Sequence, residues 1–235
     1  MAENLINIGD IEKFSIVDWP NKIAVVAFLQ GCPWRCPFCY NQSLQDFKVE
    51  GNASWDNLLH LLEHRKGVVD GVVFSGGEPL MQANLAEAME IVHNMGFEVG
   101  MHTGGYNPEA LEKVISKLSW IGFDIKAPFE TDKYKKITGG FGDVEKIKQS
   151  LDIVIKSGVN FECRTTCDPR FLDIEDIYQL ADTLSDLGVK EYHIQKYRPI
   201  PSDTATQESA CEKFFKDEKL AAYLKSKFAI FDMRK

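Results

Sequence analysis

The chain has 235 residues, and its 35 acidic residues against 27 basic ones give a formal net charge of -8 at pH 7. The acidic residues are spread along the sequence, which argues against nucleic acid or an anionic membrane as a partner. The N-terminus is short and acidic and has no signal peptide, so we expect a cytoplasmic protein. The length suits one large domain over residues 1–235 that buries most of its apolar surface.

Strand-like and helical patterns alternate along the chain, and glycines follow four of the helical patterns, where a left-handed C-cap favours glycine. Six such βα units, joined by right-handed crossovers, predict a parallel sheet covered by helices. The pattern leaves open whether the sheet stays open, curls into a partial barrel or closes. The predicted strands are Ile23–Leu29, Gly71–Ser75, Phe97–Thr103, Trp120–Ile125, Asn160–Thr166 and Glu191–Lys196.

We expect three successive regions within this domain. An entry segment covers residues 1–21, the βα core covers about residues 22–200, and a helical segment covers about residues 201–235. A run of basic residues with one tyrosine follows the fourth strand in a predicted loop, and it is a candidate contact for a partner protein. That run is Lys133, Tyr134, Lys135 and Lys136.

Three cysteines, Cys32, Cys36 and Cys39, lie within eight residues directly after the first predicted strand. A C-x3-C-x2-C loop suits an iron–sulfur cluster or zinc, each of which normally takes four protein ligands. The nearest histidines lie about twenty residues further on in a predicted helix, which disfavours zinc. An expected reducing compartment disfavours a disulfide. A [4Fe-4S] cluster held by three cysteines would leave one iron open to a small molecule.

Unusual residues also follow the second and third strands, at the carboxyl ends where parallel α/β folds gather their chemistry. Gly76 and Gly77 allow a ligand to approach the main chain closely, and Glu78 adds a carboxylate. The same residues are also typical of a plain turn. The third strand ends in His102 and Thr103, and the histidine is more typical of a structural residue than of a catalyst.

Charged residues mark the ends of the fourth and fifth strands. Asp124 and Lys126 share one face of their strand because side chains alternate with a period of two. If buried, this pair is costly unless the two groups bind each other or a polar ligand. Arg164 has the planar fork that suits a carboxylate or a ribose. The alternative to a ligand-binding role is a surface ion pair for Asp124 and Lys126, and a structural role for Arg164.

The remaining cysteines, Cys163, Cys167 and Cys211, do not predict a second cluster. The first two share a C-x3-C spacing, but a predicted strand runs between them and no further thiol is near in sequence. We expect all three to be small buried hydrophobic residues.

The cysteine loop, with Phe38 as its aromatic residue, resembles the CxxxCxΦC motif of the radical S-adenosylmethionine (SAM) superfamily. The segments Lys13–Pro20, Phe28–Cys32 and Asp124–Pro128 further resemble the activating proteins of anaerobic ribonucleoside-triphosphate reductase. Those proteins are glycyl-radical enzyme activases, akin to the pyruvate formate-lyase activating enzymes. The resemblance implies the radical SAM fold, an α/β partial (β/α)6 barrel with a parallel sheet.

The resemblance also implies a mechanism and a set of residues. Cys32, Cys36 and Cys39 would hold one [4Fe-4S] cluster, whose open iron binds the amino and carboxylate groups of SAM. An electron from flavodoxin or ferredoxin would cleave SAM, and the resulting radical would take a hydrogen atom from a glycine of the partner enzyme. The implied SAM-binding residues are Phe38, Tyr40, Gly76, Gly77, Glu78, Thr103, Asp124, Lys126 and Arg164.

Two departures from the family pattern leave the target enzyme open. Tyr40 stands where these activases usually have histidine, and Arg198 lies near the position of a SAM-contacting histidine in pyruvate formate-lyase activases. An activase of a different glycyl-radical enzyme is therefore one alternative. A radical SAM enzyme acting on a small molecule, such as a 7-carboxy-7-deazaguanine synthase, is a second. An electron-transfer or cluster-carrying protein without catalysis is a third.

Overall fold

The computed structural model describes residues 5–235, and over these residues the sheet has eight strands. The order of the strands in the sheet is their order in the chain. The strands are β1 (Ile8–Ser15), β2 (Ala24–Leu29), β3 (Gly71–Gly76), β4 (Glu98–Thr103), β5 (Trp120–Asp124), β6 (Asn160–Cys167), β7 (Glu191–Lys196) and β8 (Ile230–Arg234).

Helices follow most strands, and several of them begin at side-chain caps. Ser54 caps the first helix in a reciprocal capping box with Asn57, and Asn107 caps the third helix, where Pro108 takes the first helical position. The helices are α1 (Trp55–Glu63), α2 (Leu85–Asn94), α3 (Pro108–Val114), α4 (Thr131–Thr138), α5 (Val144–Ser157), α6 (Ile174–Asp186), α7 (Glu208–Cys211), α8 (Lys213–Lys216) and α9 (Glu218–Lys227).

All six predicted strands are present, and each end lies within one residue of its predicted position. The pairs β2–β3, β3–β4, β6–β7 and β7–β8 are parallel, whereas β1 runs antiparallel to β2. The prediction of an α/β fold with a mostly parallel sheet is therefore confirmed.

Two strands were not predicted, namely β1 in the entry segment and β8 in the segment that we expected to be helical. That C-terminal segment contains α7, α8 and α9 and then β8, which pairs in parallel with β7. The alternation of apolar and polar side chains in the five residues of β8 is too weak to predict a strand. In the structure, β8 covers backbone groups of β7 that would otherwise lie at a sheet edge.

The described residues form two compact units. The first contains the chain up to Pro33, Asn41–Gly122 and Gln149–Phe161, and the second contains Trp34–Tyr40, Phe123–Lys148 and Glu162–Lys235. The single domain over residues 1–235 stays a prediction. Within residues 5–235, none of the helices has the length and apolar character needed to span a membrane.

Each unit has its own apolar core. In the first, Trp19 stacks on Trp120 with their ring centroids 5.8 Å apart, over a cluster of small aliphatic residues from β2 and β3. In the second, the largest side chains with no exposure are Tyr134, Tyr192 and Tyr197. The carboxyl ends of the strands are thus positioned by well-packed cores.

Candidate functional site

In the first unit, Gly76 and Gly77 pack the turn after β3 directly against backbone at the start of the cysteine loop. The Gly77 N–H donates to the Leu29 carbonyl at 2.8 Å, and the Glu78 N–H donates to the Gly31 carbonyl at 3.0 Å. A Cβ on Gly77 would lie 2.2 Å from the Gly31 oxygen, and Gly76 has a φ of 102°. Only glycine permits this contact between the two loops.

Glu78 is buried, and its carboxylate joins the ends of β3 and β4. One oxygen accepts a hydrogen bond from the Thr103 hydroxyl at 2.6 Å, and the other accepts one from the Gly104 N–H at 3.0 Å. The N–H of Leu80 donates to the same carboxylate at 3.2 Å. A buried carboxylate needs such donors, so Glu78 and Thr103, two predicted site residues, stabilise each other.

His102 connects β4 to the entry segment. Its Nε2 lies 2.8 Å from the Asp18 carbonyl, and its Nδ1 lies 3.2 Å from the Ser75 hydroxyl. Its ring meets Trp120 edge-on, with the centroids 5.5 Å apart. The contact with Asp18 ties the entry segment to the end of β4.

The Cys32 end of the cysteine loop is anchored by the short segment that follows the loop. The Cys32 N–H donates to the Gln45 carbonyl at 3.2 Å, and the Gly31 N–H donates to the Leu44 carbonyl at 2.8 Å. The Gln30 side chain donates to two further carbonyls of this segment. Backbone contacts thus fix Cys32 within the first unit.

In the second unit, the C-terminal end of α4 holds the rest of the cysteine loop. The Arg35 N–H donates to the Thr138 carbonyl at 2.8 Å. Gly139 ends the helix in the left-handed conformation, and a Cβ there would lie 2.6 Å from the Arg35 oxygen. The Trp34 ring packs on Phe141 with centroids 5.8 Å apart.

Lys126 lies among the aromatic residues of this loop. Its ammonium is 5.2 Å from the centroid of the Trp34 ring and 5.7 Å from that of the Phe38 ring. Both rings are buried, and Asp124 Oδ2 lies 3.6 Å from the same ammonium. The faces of the two rings attract the cation.

Cys36 is buried next to this cation. Burial raises the pKa of the Cys36 thiol to about 11, and the ammonium of Lys126 partly opposes that rise. A metal or cluster binds the thiolate, so Lys126 favours the form of Cys36 that acts as a ligand.

Asp124 and Arg164 bind each other, a pairing that the sequence analysis did not predict. The Arg164 Nε and Nη2 lie 2.9 and 2.8 Å from Asp124 Oδ1. The Arg164 side chain is buried, and its Nη1 lies 3.9 Å from Glu162 Oε1. Asp124 therefore orients both Lys126 and Arg164 at the ends of β5 and β6.

The buried ionic group beyond Arg164 was missed by the sequence reasoning. Glu162 accepts two hydrogen bonds from Arg234, at 2.6 and 2.7 Å, and His193 Nε2 lies 3.5 Å from Glu162 and 2.9 Å from Glu191. The signal was present, because Glu162 and Arg164 are two residues apart on β6, as are Glu191 and His193 on β7. The partner on β8 could not be found because that strand was not predicted.

The structure brings the two departures from the family pattern together. The Tyr40 hydroxyl accepts a hydrogen bond from the Arg198 N–H at 2.8 Å, and the Tyr40 ring lies 6.4 Å from that of Tyr197. Tyr40 remains exposed. Its position directly after Cys39 makes this exposed ring a neighbour of the cysteine loop.

Residues 133–136 lie in helix α4 and not in the predicted loop, so that placement is wrong, while the contact with a partner protein stays a prediction. Tyr134 has no exposure, and its hydroxyl accepts a hydrogen bond from the Lys126 N–H at 3.3 Å. Lys133 forms ion pairs with Asp176 and Glu130. Tyr134 and Ile137 face the core with helical spacing, which the basic residues between them concealed.

The other three cysteines are buried free thiols, as expected. Burial raises the pKa of each, so they are inert at neutral pH. The thiols of Cys32, Cys36 and Cys39 lie close together in one loop and are soft donors of the kind that a cluster takes.

Comparison with known proteins identifies the family. The model of the Radical SAM superfamily matches residues 26–169. A candidate glycyl-radical enzyme activating enzyme of Methanocaldococcus jannaschii is 32% identical over 212 residues, covering 82% of this chain and 80% of the relative. The pyruvate formate-lyase-activating enzyme of Clostridium pasteurianum is 30% identical over 237 residues, covering 93% and 96%.

Solved structures share the fold. QueE from Escherichia coli superposes with a TM-score of 0.56 at 18% identity, over 98% of this chain and 94% of that one. Streptococcus suis SuiB bound to SAM gives 0.62 at 15% identity over 87% of this chain, which spans 45% of the SuiB chain. Membership of the superfamily implies SAM and an iron–sulfur cluster, and the three thiols of the cysteine loop fit the cluster. The chain is an enzyme that belongs to the radical SAM superfamily.

Proposed function

We propose that this enzyme is a glycyl-radical enzyme activase that uses SAM and one [4Fe-4S] cluster in the cytoplasm. The observation that carries the proposal is the similarity, over most of both chains, to two relatives named as activating enzymes. Among the possible partners, anaerobic ribonucleoside-triphosphate reductase is our first candidate, because the entry segment Lys13–Pro20 and the cysteine loop resemble those of the activating proteins of that reductase. Pyruvate formate-lyase is the second candidate, because the relative from Clostridium pasteurianum and another from Escherichia coli, 24% identical, are both named as activating enzymes of a pyruvate formate-lyase.

We assign the cluster to Cys32, Cys36 and Cys39. When bound, the cluster and SAM together supply the carbon radical of the superfamily, with the electron coming from flavodoxin or ferredoxin. The protein supplies ligands, position and protection from water. Backbone hydrogen bonds fix Cys32 and Cys39, since the Cys39 N–H donates to the Cys36 carbonyl at 3.1 Å. The burial of Cys36 keeps water from its sulfur.

The proposed SAM contacts follow from the chemistry of each residue. Arg164 is oriented by Asp124 and suits the SAM carboxylate, and Lys126 suits the ribose hydroxyls. Gly76 and Gly77 present backbone without a side chain, and Glu78 and Thr103 hold that turn in place. The aromatic rings of Phe38 and Tyr40 complete the proposed set.

The test is radical transfer to a partner. The anaerobically reconstituted enzyme, with SAM and reduced flavodoxin, is incubated with each glycyl-radical enzyme from the same cell. We expect the doublet EPR signal of a glycyl radical on one of them, and its loss when that glycine is changed to alanine. The variant Cys36→Ala is the matched control and should give no signal.

Two outcomes would overturn the proposal. If SAM is cleaved while no glycyl-radical enzyme gains a radical and a small metabolite is modified, the enzyme acts on a small molecule. If dithionite-reduced protein fails to cleave SAM at all, the electron-transfer or cluster-carrying alternative stands.

A further inference from the structure

Lys126 makes contacts that a role in binding SAM does not require. Its ammonium lies over the Trp34 and Phe38 rings and beside Asp124, and only 13% of its side chain is exposed. Trp34 and Phe38 stand two residues before and two residues after Cys36. One cation therefore contacts the loop on both sides of the middle cysteine.

The loop depends on such contacts for its shape. Residues 31–40 lie in no helix or strand, so no backbone ladder fixes the direction of the Cys36 side chain. Cation–π attraction grows when the cation is withdrawn from water, as the Lys126 ammonium largely is. Two rings held by one cation fix the backbone on both sides of Cys36.

The charge of Lys126 also acts on whatever Cys36 binds. A cluster with three thiolate ligands is anionic, and its potential depends on nearby charge, hydrogen bonds and exposure. A buried cation next to one ligand stabilises the reduced, more negative cluster. This effect requires no bound SAM.

We propose that Lys126 is a positioning residue for the cluster: it holds Trp34 and Phe38 so that Cys36 can act as a ligand, before SAM binds. The inference rests on the proposed cluster ligands and not on the proposed partner enzyme. Lys126 would then have two successive roles, first shaping the empty loop and later facing the cofactor.

The experiment compares Lys126→Met with Lys126→Arg in the full chain, without SAM and without a partner. We measure iron per chain after anaerobic reconstitution, the rate of iron loss to a chelator, and the midpoint potential by EPR titration. Lys126→Met should lose iron at least fivefold faster and have a more negative potential. Lys126→Arg, which keeps the charge and stacks on aromatic faces, should restore retention.

Lys148→Met is the matched control. Lys148 also lies over a ring, 5.9 Å from the centroid of Phe129, but its side chain is 42% exposed and its ion pair is with Glu145. The substitution removes the same charge from the same unit. It should leave iron retention and potential at the wild-type values.

Wild-type retention and potential in Lys126→Met, together with weaker SAM binding, would overturn the proposal and leave Lys126 as a SAM ligand only. If Lys126→Met does not fold, iron retention is measured instead in Phe38→Leu and Trp34→Leu, in which Lys126 is intact. Fast loss of iron in these variants supports the proposal, and wild-type retention overturns it. A failed radical transfer to a partner would change none of these readouts.

Discussion

The buried ion pair between Glu162 and Arg234 allows a quantitative test of how β8 is attached. The variant Arg234→Met removes both hydrogen bonds to a fully buried carboxylate while keeping an apolar side chain. Leaving a buried charge without its partner typically costs roughly 3–5 kcal/mol. Here the cost should be about 2–3 kcal/mol, because Arg234 is 32% exposed and His193 remains 3.5 Å from Glu162.

Urea unfolding of the apo protein, followed by circular dichroism, measures this loss. Glu162→Gln and the double variant complete a double-mutant cycle. We expect a coupling energy of about 1–2 kcal/mol, because the two single changes disrupt one interaction. Lys156→Met is the control, since its ion pair with Asp152 is exposed and should contribute less than about 0.5 kcal/mol.

Two results would refute this reasoning. One is a loss below about 0.5 kcal/mol for Arg234→Met, which would mean that water or the remaining cations already satisfy the carboxylate. The other is strict additivity in the double variant, which would mean that the two residues act independently. In the first case, the attachment of β8 would not depend on this ion pair.

Three further predictions concern the cysteine loop and the SAM contacts. Gly77→Ala should lower both iron content and unfolding free energy, the latter by about 1–3 kcal/mol, because its Cβ would meet the Gly31 carbonyl; wild-type values in both assays would contradict this. In the apo protein, alkylation of Cys36 should rise about tenfold per pH unit up to its pKa of about 11, because the thiolate reacts; mass spectrometry showing a plateau near pH 8 would argue otherwise. Arg164→Ala should keep the cluster but weaken SAM binding about thirtyfold or more in an EPR titration, and unchanged affinity would leave Arg164 a structural residue.

The fold was predictable to the extent that its pattern is local. Six strands could be located because runs of buried aliphatic residues stand between amphipathic helices that end in glycine. The strand β8 could not, because Ile230 is exposed and the segment pairs only with a distant strand. Helix α4 was predicted as a loop, because its many charged residues obscured the helical spacing of Tyr134 and Ile137, which face the core.

The candidate site was likewise predictable only in its local features. The spacing of Cys32, Cys36 and Cys39 pointed to a cluster without any structure, since a cluster takes soft ligands from one short loop. The sequence also placed Asp124 and Arg164 at strand ends, but it left open whether each faces a ligand or a neighbour. Their pairing depends on β5 and β6, which lie far apart in the chain.

The sequence by itself determined the family, the cluster motif and the positions of the core strands, because each depends on residues within a few positions of one another. Only the tertiary structure decided which charges are paired, that Glu78 binds Thr103, and that Lys126 lies over Trp34 and Phe38. Such contacts join residues from separate elements. Their energies come from burial and distance, which exist only once the chain has folded.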